Sequence, residues 1–468
     1  MRKATGLLLV GASAIALFPQ AAFAQSARER ALEARIQQLE AAVAALQSQV
    51  QTTQAQQQSV AAQTAAVSQR TEETAQRVAA IQAAPPPTPA PVPEGFRVGS
   101  TTFRAGGYIK TVASFSHWSD GEVAANSLGR DFYLPQAIPV GGGDSSTDND
   151  FSAKQTRLWF SFESAVADHT LRGYIETDFQ TATGTQGTER TTNGYDLALR
   201  RAYVQFDNLT VGQDWSTFQY VAALPESTDF VGATEGTVFS RQPLVRYTAH
   251  LSPQATLMVS AENAETSSVN WGTSTMVEND DDRMPDFAAR VNYAGSFGEL
   301  SLAGVVRELS VRNGGFDDHS MGFGASLAGK IPLGGSPFSD FRFMATYGTG
   351  ISRYVGLNLA PDVIVDPLTG ELHRVDTFGA FAAVRVGLSP TVRSSLMASY
   401  QDVNYPDALP LAGMNALNDR AWSVAGNLFW SPVRGLDLGV EYRHGERRIV
   451  SGADGALDRL EFAVKYGF

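Results

Sequence analysis

From Phe96 to Phe468 polar and apolar positions alternate with a period of two. Phe103, Ala105, Gly107, Ile109, Thr111, Ala113 and Phe115 share one face, and Arg104, Tyr108, Lys110 and Ser114 the other. Leu158, Phe160 and Phe162 alternate with Arg157, Trp159, Ser161 and Glu163; Leu171, Gly173, Ile175 and Thr177 alternate with Arg172, Tyr174, Glu176 and Asp178. The end of the chain repeats the pattern, with Leu460, Phe462, Val464, Tyr466 and Phe468 set against Arg459, Glu461 and Lys465. Successive side chains of a strand point to opposite faces, so each run predicts a strand. About sixteen such runs are present, starting near residues 102, 153, 170, 195, 208, 241, 254, 284, 297, 319, 339, 374, 390, 418, 434 and 457.

Alternation by itself also fits the half-buried strands of a soluble sheet. Three features favour a membrane wall. The polar faces carry full charges in strand after strand. Tight connections (Ala165–His169, Asp207-Asn208, Ser252-Pro253, Ser431–Gly435) alternate with long ones (Trp118–Asp150, Ile351–Val375), and the last run ends on an aromatic residue, Phe468. Short turns on one rim and long loops on the other are the layout of outer-membrane barrels. An open sheet edge in lipid would strand backbone polar groups, so the sheet must close on itself. The expected fold is all-β: a transmembrane antiparallel β-barrel of about 16 strands over residues 96–468, wide enough to hold an aqueous lumen.

The preceding residues follow other rules. Residues 1–24 read as a signal peptide: Arg2 and Lys3, an apolar run to Phe18, then Ala22-Phe23-Ala24. Residues 25–82 contain no Gly or Pro and carry a 4-3 seam through Leu32, Ile36, Leu39, Val43, Leu46 and Val50, softened further on by Thr and Gln. A seven-residue seam faces a partner helix, so this segment predicts an α-helical coiled coil and hence a homo-oligomer. The Pro-rich stretch 83–95 cannot be helical and predicts a stiff linker.

Composition removes several alternatives. The formal charge of −12 argues against a nucleic-acid partner. With no cysteine there is no disulfide, thiol nucleophile or thiolate metal site. The six histidines (117, 169, 250, 319, 373 and 444) are never at ligand spacing, and G-x-S-x-G, P-loop and H-E-x-x-H signatures are missing. Neither an enzyme, nor a cofactor, nor a metal site is expected. Two acidic runs, Asp144–Asp150 and Glu278–Asp282, lack the spacing of a calcium loop and are expected as solvated external loops.

The order of signal, heptad segment, proline break and Gly-Gly-Tyr-Ile-Lys (106–110) resembles the DcaP-like trimeric porins. So do Leu199-Arg200-Arg201-Ala202-Tyr203-Val204, Asn208-Leu209-Thr210-Val211-Gly212-Gln213-Asp214-Trp215 and Arg241-Gln242-Pro243-Leu244-Val245-Arg246-Tyr247. That resemblance implies a trimer in a Gram-negative outer membrane, in contact with its lipid, with a periplasmic coiled-coil stalk. It also implies passage of small anionic solutes, dicarboxylates first. Other readings on the same frame are a general, phosphate or sugar porin, or a barrel whose stalk tethers the membrane to periplasmic cell-wall material. Sugar porins use an aromatic slide and phosphate porins denser lysine, whereas the faces expected to line this lumen are richest in arginine.

The region 214–240 breaks the strand rhythm, and in porins this connection folds inward; it is expected to be a constriction loop with Glu226, Asp229 and Glu235 as its acids. Facing it, Lys110, Arg157 and Arg172 are the leading candidates to meet solute, followed by Arg104, Arg200, Arg246 and Arg290. A guanidinium fork can hold a carboxylate in two places, and rings of charge bias a pore by sign. The competing expectation is that Arg157 pairs with Glu176, and Arg172 with Glu163, as ordinary wall salt bridges.

Overall fold

The computed structural model describes residues 95–180, 194–313 and 316–468. The expected signal peptide and coiled coil, and the linker to residue 94, lie outside the described residues. The strands are β1 (Thr101–Trp118), β2 in two pieces (Ser146–Ser152 and Arg157–Val166), β3 (His169–Asp178), β4 (Ala198–Phe206), β5 (Leu209–Trp215), β6 (Arg241–His250), β7 (Ala255–Glu262) and β8 (Asp286–Gly295). They continue as β9 (Gly298–Asn313), β10 (Phe316–Pro332), β11 (Asp340–Thr349), β12 (Asp376–Gly387), β13 (Val392–Asn404), β14 (Asn418–Val433), β15 (Leu436–Ile449) and β16 (Asp454–Gly467).

Each strand pairs antiparallel with the next, and β16 returns to β1 from Tyr108↔Gly467 to Trp118↔Leu457. Phe468 completes the seam: its N–H donates to the Gly107 carbonyl and its carbonyl accepts from the Gly107 N–H, both at 3.1 Å. Below Phe468 the short strand Phe96–Val98 takes the place beside β1 that β16 has vacated. The closed sixteen-stranded ring is the fold that the two-residue rhythm predicts. Fifteen of its strand starts lie within three residues of expectation, and the remaining one, near 153, falls between the two pieces of β2.

Side chains obey the alternation. Ile109, Phe160, Val204, Phe287, Leu302 and Phe462 are exposed outside the ring, whereas Lys110, Asp178, Arg200, Arg443, Arg459 and Glu461 are buried within it. An apolar skin around a charged interior inverts the arrangement of a water-soluble protein and suits a wall bathed in hydrocarbon. Among the described residues no helix is long and apolar enough to cross a membrane.

One expectation needs correction. The acidic run Asp144–Asp150 is not simply loop: Ser146–Ser152 is strand, paired with β1 from Val112↔Ser152 to Trp118↔Ser146. Its acids are not left to water. Arg130 holds Asp148 at 3.1 Å and Asp150 at 2.9 Å, and the Trp118 indole N–H donates to Asp148 at 2.8 Å. Arg130 stands in a connection that cannot be placed by periodicity, and Trp118 ends β1. The Glu278–Asp282 run does remain largely loop, beside a small sheet built from Ser267–Asn270, Val277–Glu278, Val363–Val365 and Leu372–Arg374. Val269, Ile364, Val375, Val403 and Met414 form the core of this cap over the long-loop rim.

Candidate functional site

On β2 to β6 the lumen face is an arginine wall. Opposite β3 the register of β4 slips between Glu176 and Thr177, so that Thr177 faces Leu199 and Glu176 faces Arg201, leaving Arg200 as the extra residue. A bulge of this kind re-aims a side chain, and here two consecutive arginines turn inward. Arg200 is buried and binds Glu176 at 2.8 Å and Asp178 at 2.5 Å. Arg201 binds Asp214 at 2.6 Å and lies over the rings of Tyr174 and Tyr203. Arg246 takes the other oxygen of Asp214 at 2.5 Å. Arg157 stands further off, 3.8 Å from Glu176 and 3.6 Å from Asp178. Arg241 packs over Trp215 at 5.0 Å, and among the described residues no carboxylate lies within ion-pair reach of it. Four guanidiniums therefore share three carboxylates, Glu176, Asp178 and Asp214, and Arg241 is a fifth cation beside them.

The connection from β5 to β6 runs across the inside of the ring to its far wall. Glu226 is gripped by Arg393 of β13, with contacts of 2.7 to 2.9 Å, and lies 3.5 Å from Arg385 of β12. Ser227 donates to Glu441 of β15 at 2.7 Å, the Thr228 carbonyl accepts from Lys110 of β1 at 2.6 Å, and Gly236 N–H donates to Ser399 of β13 at 2.8 Å. A Cβ on Gly236 would come within 2.1 Å of the Ala380 backbone, so the close approach of loop to wall requires glycine there.

Asp229 and Glu235 bind the connection that follows β1. Asp229 accepts from the Tyr133 N–H at 2.6 Å and from Val231 and Gly232 N–H groups at 2.9 Å; Glu235 accepts from the Tyr133 hydroxyl at 2.6 Å and from Ser423 at 3.0 Å. Burial, reinforced by Glu235, pushes the Tyr133 phenol well above its ordinary range, which keeps it a donor.

The remaining sequence candidates divide by position. Lys110 is buried and also donates to Gln155 at 2.6 Å. Arg290 donates to the Gln219 carbonyl and touches Met258 sulfur at 3.0 Å. Arg172 sits exposed at the short-turn rim in an ion pair with Glu163 at 2.8 Å. Arg104 is exposed near the same rim. Lys110, Arg157, Glu226 and Asp229 line one cavity of 270 Å³ under the inward connection; the others lie outside it.

With this geometry in view, the match to known proteins is informative: the model of the DcaP outer membrane protein family matches residues 133–468. The chain belongs to this family. The outer membrane channel DcaP of Acinetobacter baumannii has the same fold, with a TM-score of 0.66 at 24% identity, covering 80% of this chain and 99% of that one. Also similar are OmpT of Vibrio cholerae (TM-score 0.48, 10% identity, 80% of this chain and 100% of that) and an anion-selective porin from Comamonas acidovorans (TM-score 0.48, 11% identity, 79% and 100%). No curated protein matches the chain. As a DcaP-family barrel this is an outer-membrane channel of porin type, and both family and fold point to a channel rather than an enzyme.

Sequence reasoning did not single out Arg201, Arg241, Lys465 or Tyr108 as site residues. Arg201 was hidden by the bulge, because strict alternation turns it away from the lumen when Arg200 faces in. Lys465 was visible on the charged face of the final strand, and its position opposite Lys110 follows once the ring is closed.

Proposed function

We propose that this chain forms a passive, anion-preferring diffusion channel for small carboxylates, dicarboxylates among them, acting as a homotrimer. The observation that carries this reading is the ratio on the β2–β6 wall: five guanidiniums against three carboxylates, an excess of positive charge facing the lumen. Charge lining a narrow, low-dielectric passage biases the ions that enter by sign. The connection 216–240 is the constriction, and its acids do not cancel the wall, since Glu226, Asp229 and Glu235 are each held by other partners. Residues 1–24 are a cleaved signal peptide, 25–82 a periplasmic trimeric coiled coil, and 83–95 its linker.

Reversal potentials across a planar bilayer under a salt gradient test the channel reading. Anion preference is expected; cation preference or absence of conductance overturns it. Deleting residues 25–94 tests the stalk: loss of trimers on non-denaturing gels is expected, with the single-barrel conductance retained.

A further inference from the structure

The outward face of β7 to β11 is dented toward its long-loop end. One row of outward positions crosses these strands as Val259, Ala289, Gly304, Ala325 and Tyr347, each residue opposed to the next. The adjacent outward row on the long-loop side holds Phe287, Val306 and Phe323, and the one on the short-turn side Val291, Leu302 and Leu327. Three small residues between two rows of large exposed ones leave a depression of 630 Å³ with an apolar lining. The fold does not call for glycine at its centre. A Cβ on Gly304 would meet nothing on a neighbouring strand nearer than 3.8 Å, and its φ is an ordinary one. Glycine inside a strand weakens it, and it often marks a place where a ligand comes close.

Polar groups of two kinds stand at the long-loop lip of this dent. The next outward residue of β9 beyond Val306 is Glu308, which is only 9% exposed, and its Oε2 has no hydrogen-bond partner among the described residues. A buried acceptor without a donor is costly, so Glu308 is set to receive one from outside the chain. Arg374 is exposed and donates to the Met321 carbonyl at 2.9 Å, two residues along β10 from Phe323. Among the described residues no carboxylate lies within ion-pair reach of it. Further along the lip Arg283 and Arg312 share one acid, Asp317, at 2.5 and 3.3 Å. The acids of the adjoining connection are engaged: Glu265 by the Asn279 N–H, Asp281 by the Arg312 N–H and Asp282 by the Thr266 hydroxyl. The lip thus offers three guanidiniums and one unfilled acceptor beside an apolar dent.

Hydrocarbon bathes this face of the barrel, so an apolar dent alone does not choose among lipids. The choice falls to the lip. The longer loops of outer-membrane barrels are extracellular, which sets the dent on the outer-leaflet side. We propose that this site holds one phosphorylated, acylated sugar lipid of the outer leaflet. An acyl chain lies in the dent over Gly304, a phosphate meets the Arg374 guanidinium, and a sugar hydroxyl donates to Glu308. The site rests on the outer-membrane setting of the barrel and is independent of the ions that the lumen prefers.

The test titrates the full-length channel, purified in detergent and stripped of lipid, with diphosphoryl lipid A or phosphatidylethanolamine, and counts bound lipid by native mass spectrometry. Wild type is expected to half-saturate with lipid A at a concentration about tenfold below that for phosphatidylethanolamine. Gly304→Leu fills the dent and is expected to raise the lipid A concentration about tenfold, with single-channel conductance unchanged. Arg374→Gln is expected to raise it about fivefold for diphosphoryl lipid A and less than about twofold for the dephosphorylated lipid. Glu308→Leu is expected to weaken both forms alike, about threefold. Arg172→Gln, at the opposite rim, is expected to change neither. If Gly304→Leu fails to give heat-modifiable barrels, Ala289→Leu fills the same dent. Equal binding of the two lipids by wild type, or unchanged lipid A binding once the dent is filled, overturns the site. Loss of trimers in Gly304→Leu with lipid binding intact assigns the dent to a neighbouring copy of the chain and overturns it as well.

Discussion

The two halves of the lumen use the same residue type for opposite purposes. On β11 to β15 arginines are fasteners: Arg393 holds Glu226, and buried Arg443 holds Glu441 at 2.8 Å. The link between loop and wall is complete there, with acid and base matched side by side. On β2 to β6 the arginines outnumber their acids and stack on Trp215, Tyr174 and Tyr203 instead of finding further carboxylates. The contrast teaches that an arginine in a pore wall is read from the ratio around it. Where each cation has its own carboxylate it anchors a loop; where several share one, the surplus field faces the passage.

Four changes would break or sharpen that contrast. The largest effect is expected for Arg307→Leu, at a fastener of the same type: this buried arginine lies 3.3 Å from Asp286 and 3.0 Å from Asp362. Removing it takes the ion-pair partner from buried Asp362 and leaves Asp286 with Arg353 and the Tyr354 hydroxyl alone, and is expected to cost roughly 3–5 kcal/mol. Thermal unfolding in detergent should show a markedly lower transition, with ion preference retained in the molecules still folded.

Replacing Arg200 and Arg201 together by Gln should act the other way, on selectivity more than on folding. The wall's surplus of two positive charges becomes zero, and the reversal potential should collapse toward zero in about 0.1 M salt. In about 1 M salt, where screening shortens to a few ångströms, wild type and variant should differ far less. An unchanged reversal potential would mean that the wall field is not what selects.

Glu226→Gln frees Arg393 and Arg385 from their shared acid, and is expected to cost about 1–3 kcal/mol. Single-channel records should show noisier currents and a stronger anion preference, because the constriction loses an anchor as the lumen loses a negative charge. The smallest effect belongs to Arg172→Ala. Its ion pair with Glu163 is half exposed at the rim, and such pairs contribute about 0–1 kcal/mol. Stability and reversal potential should both match wild type, and a large change in either would extend the selecting wall out to the rim.

How much of this was legible in the sequence depends on range. The strands were legible because the two-residue period is local, as in Leu460 to Phe468. The inward reach of residues 216–240 was foreshadowed by the break in that period. The partners of Glu226, Asp229 and Glu235 were not, because Arg393, Tyr133 and Ser423 lie far away in the chain and meet these acids only after the ring closes. The wall pairs Arg157–Glu176 and Arg172–Glu163, entertained as competing expectations, do form. The role of Arg201 was illegible for a sharper reason: a one-residue slip in register reverses which face a side chain takes, and no residue type in Leu199-Arg200-Arg201-Ala202 announces the slip.

The bond between Phe468 and Gly107 also carries a lesson about biogenesis. The first strand of the ring acquires its second neighbour only from β16, so every nascent form that stops short of β16 presents a bare edge of N–H and C=O groups. Such edges invite pairing with other chains, and contacts so remote in sequence form slowly. The polypeptide therefore has to be kept from aggregating until β16 arrives, and removing the residues of β16 that meet β1 should yield misassembled material rather than a slightly leakier pore.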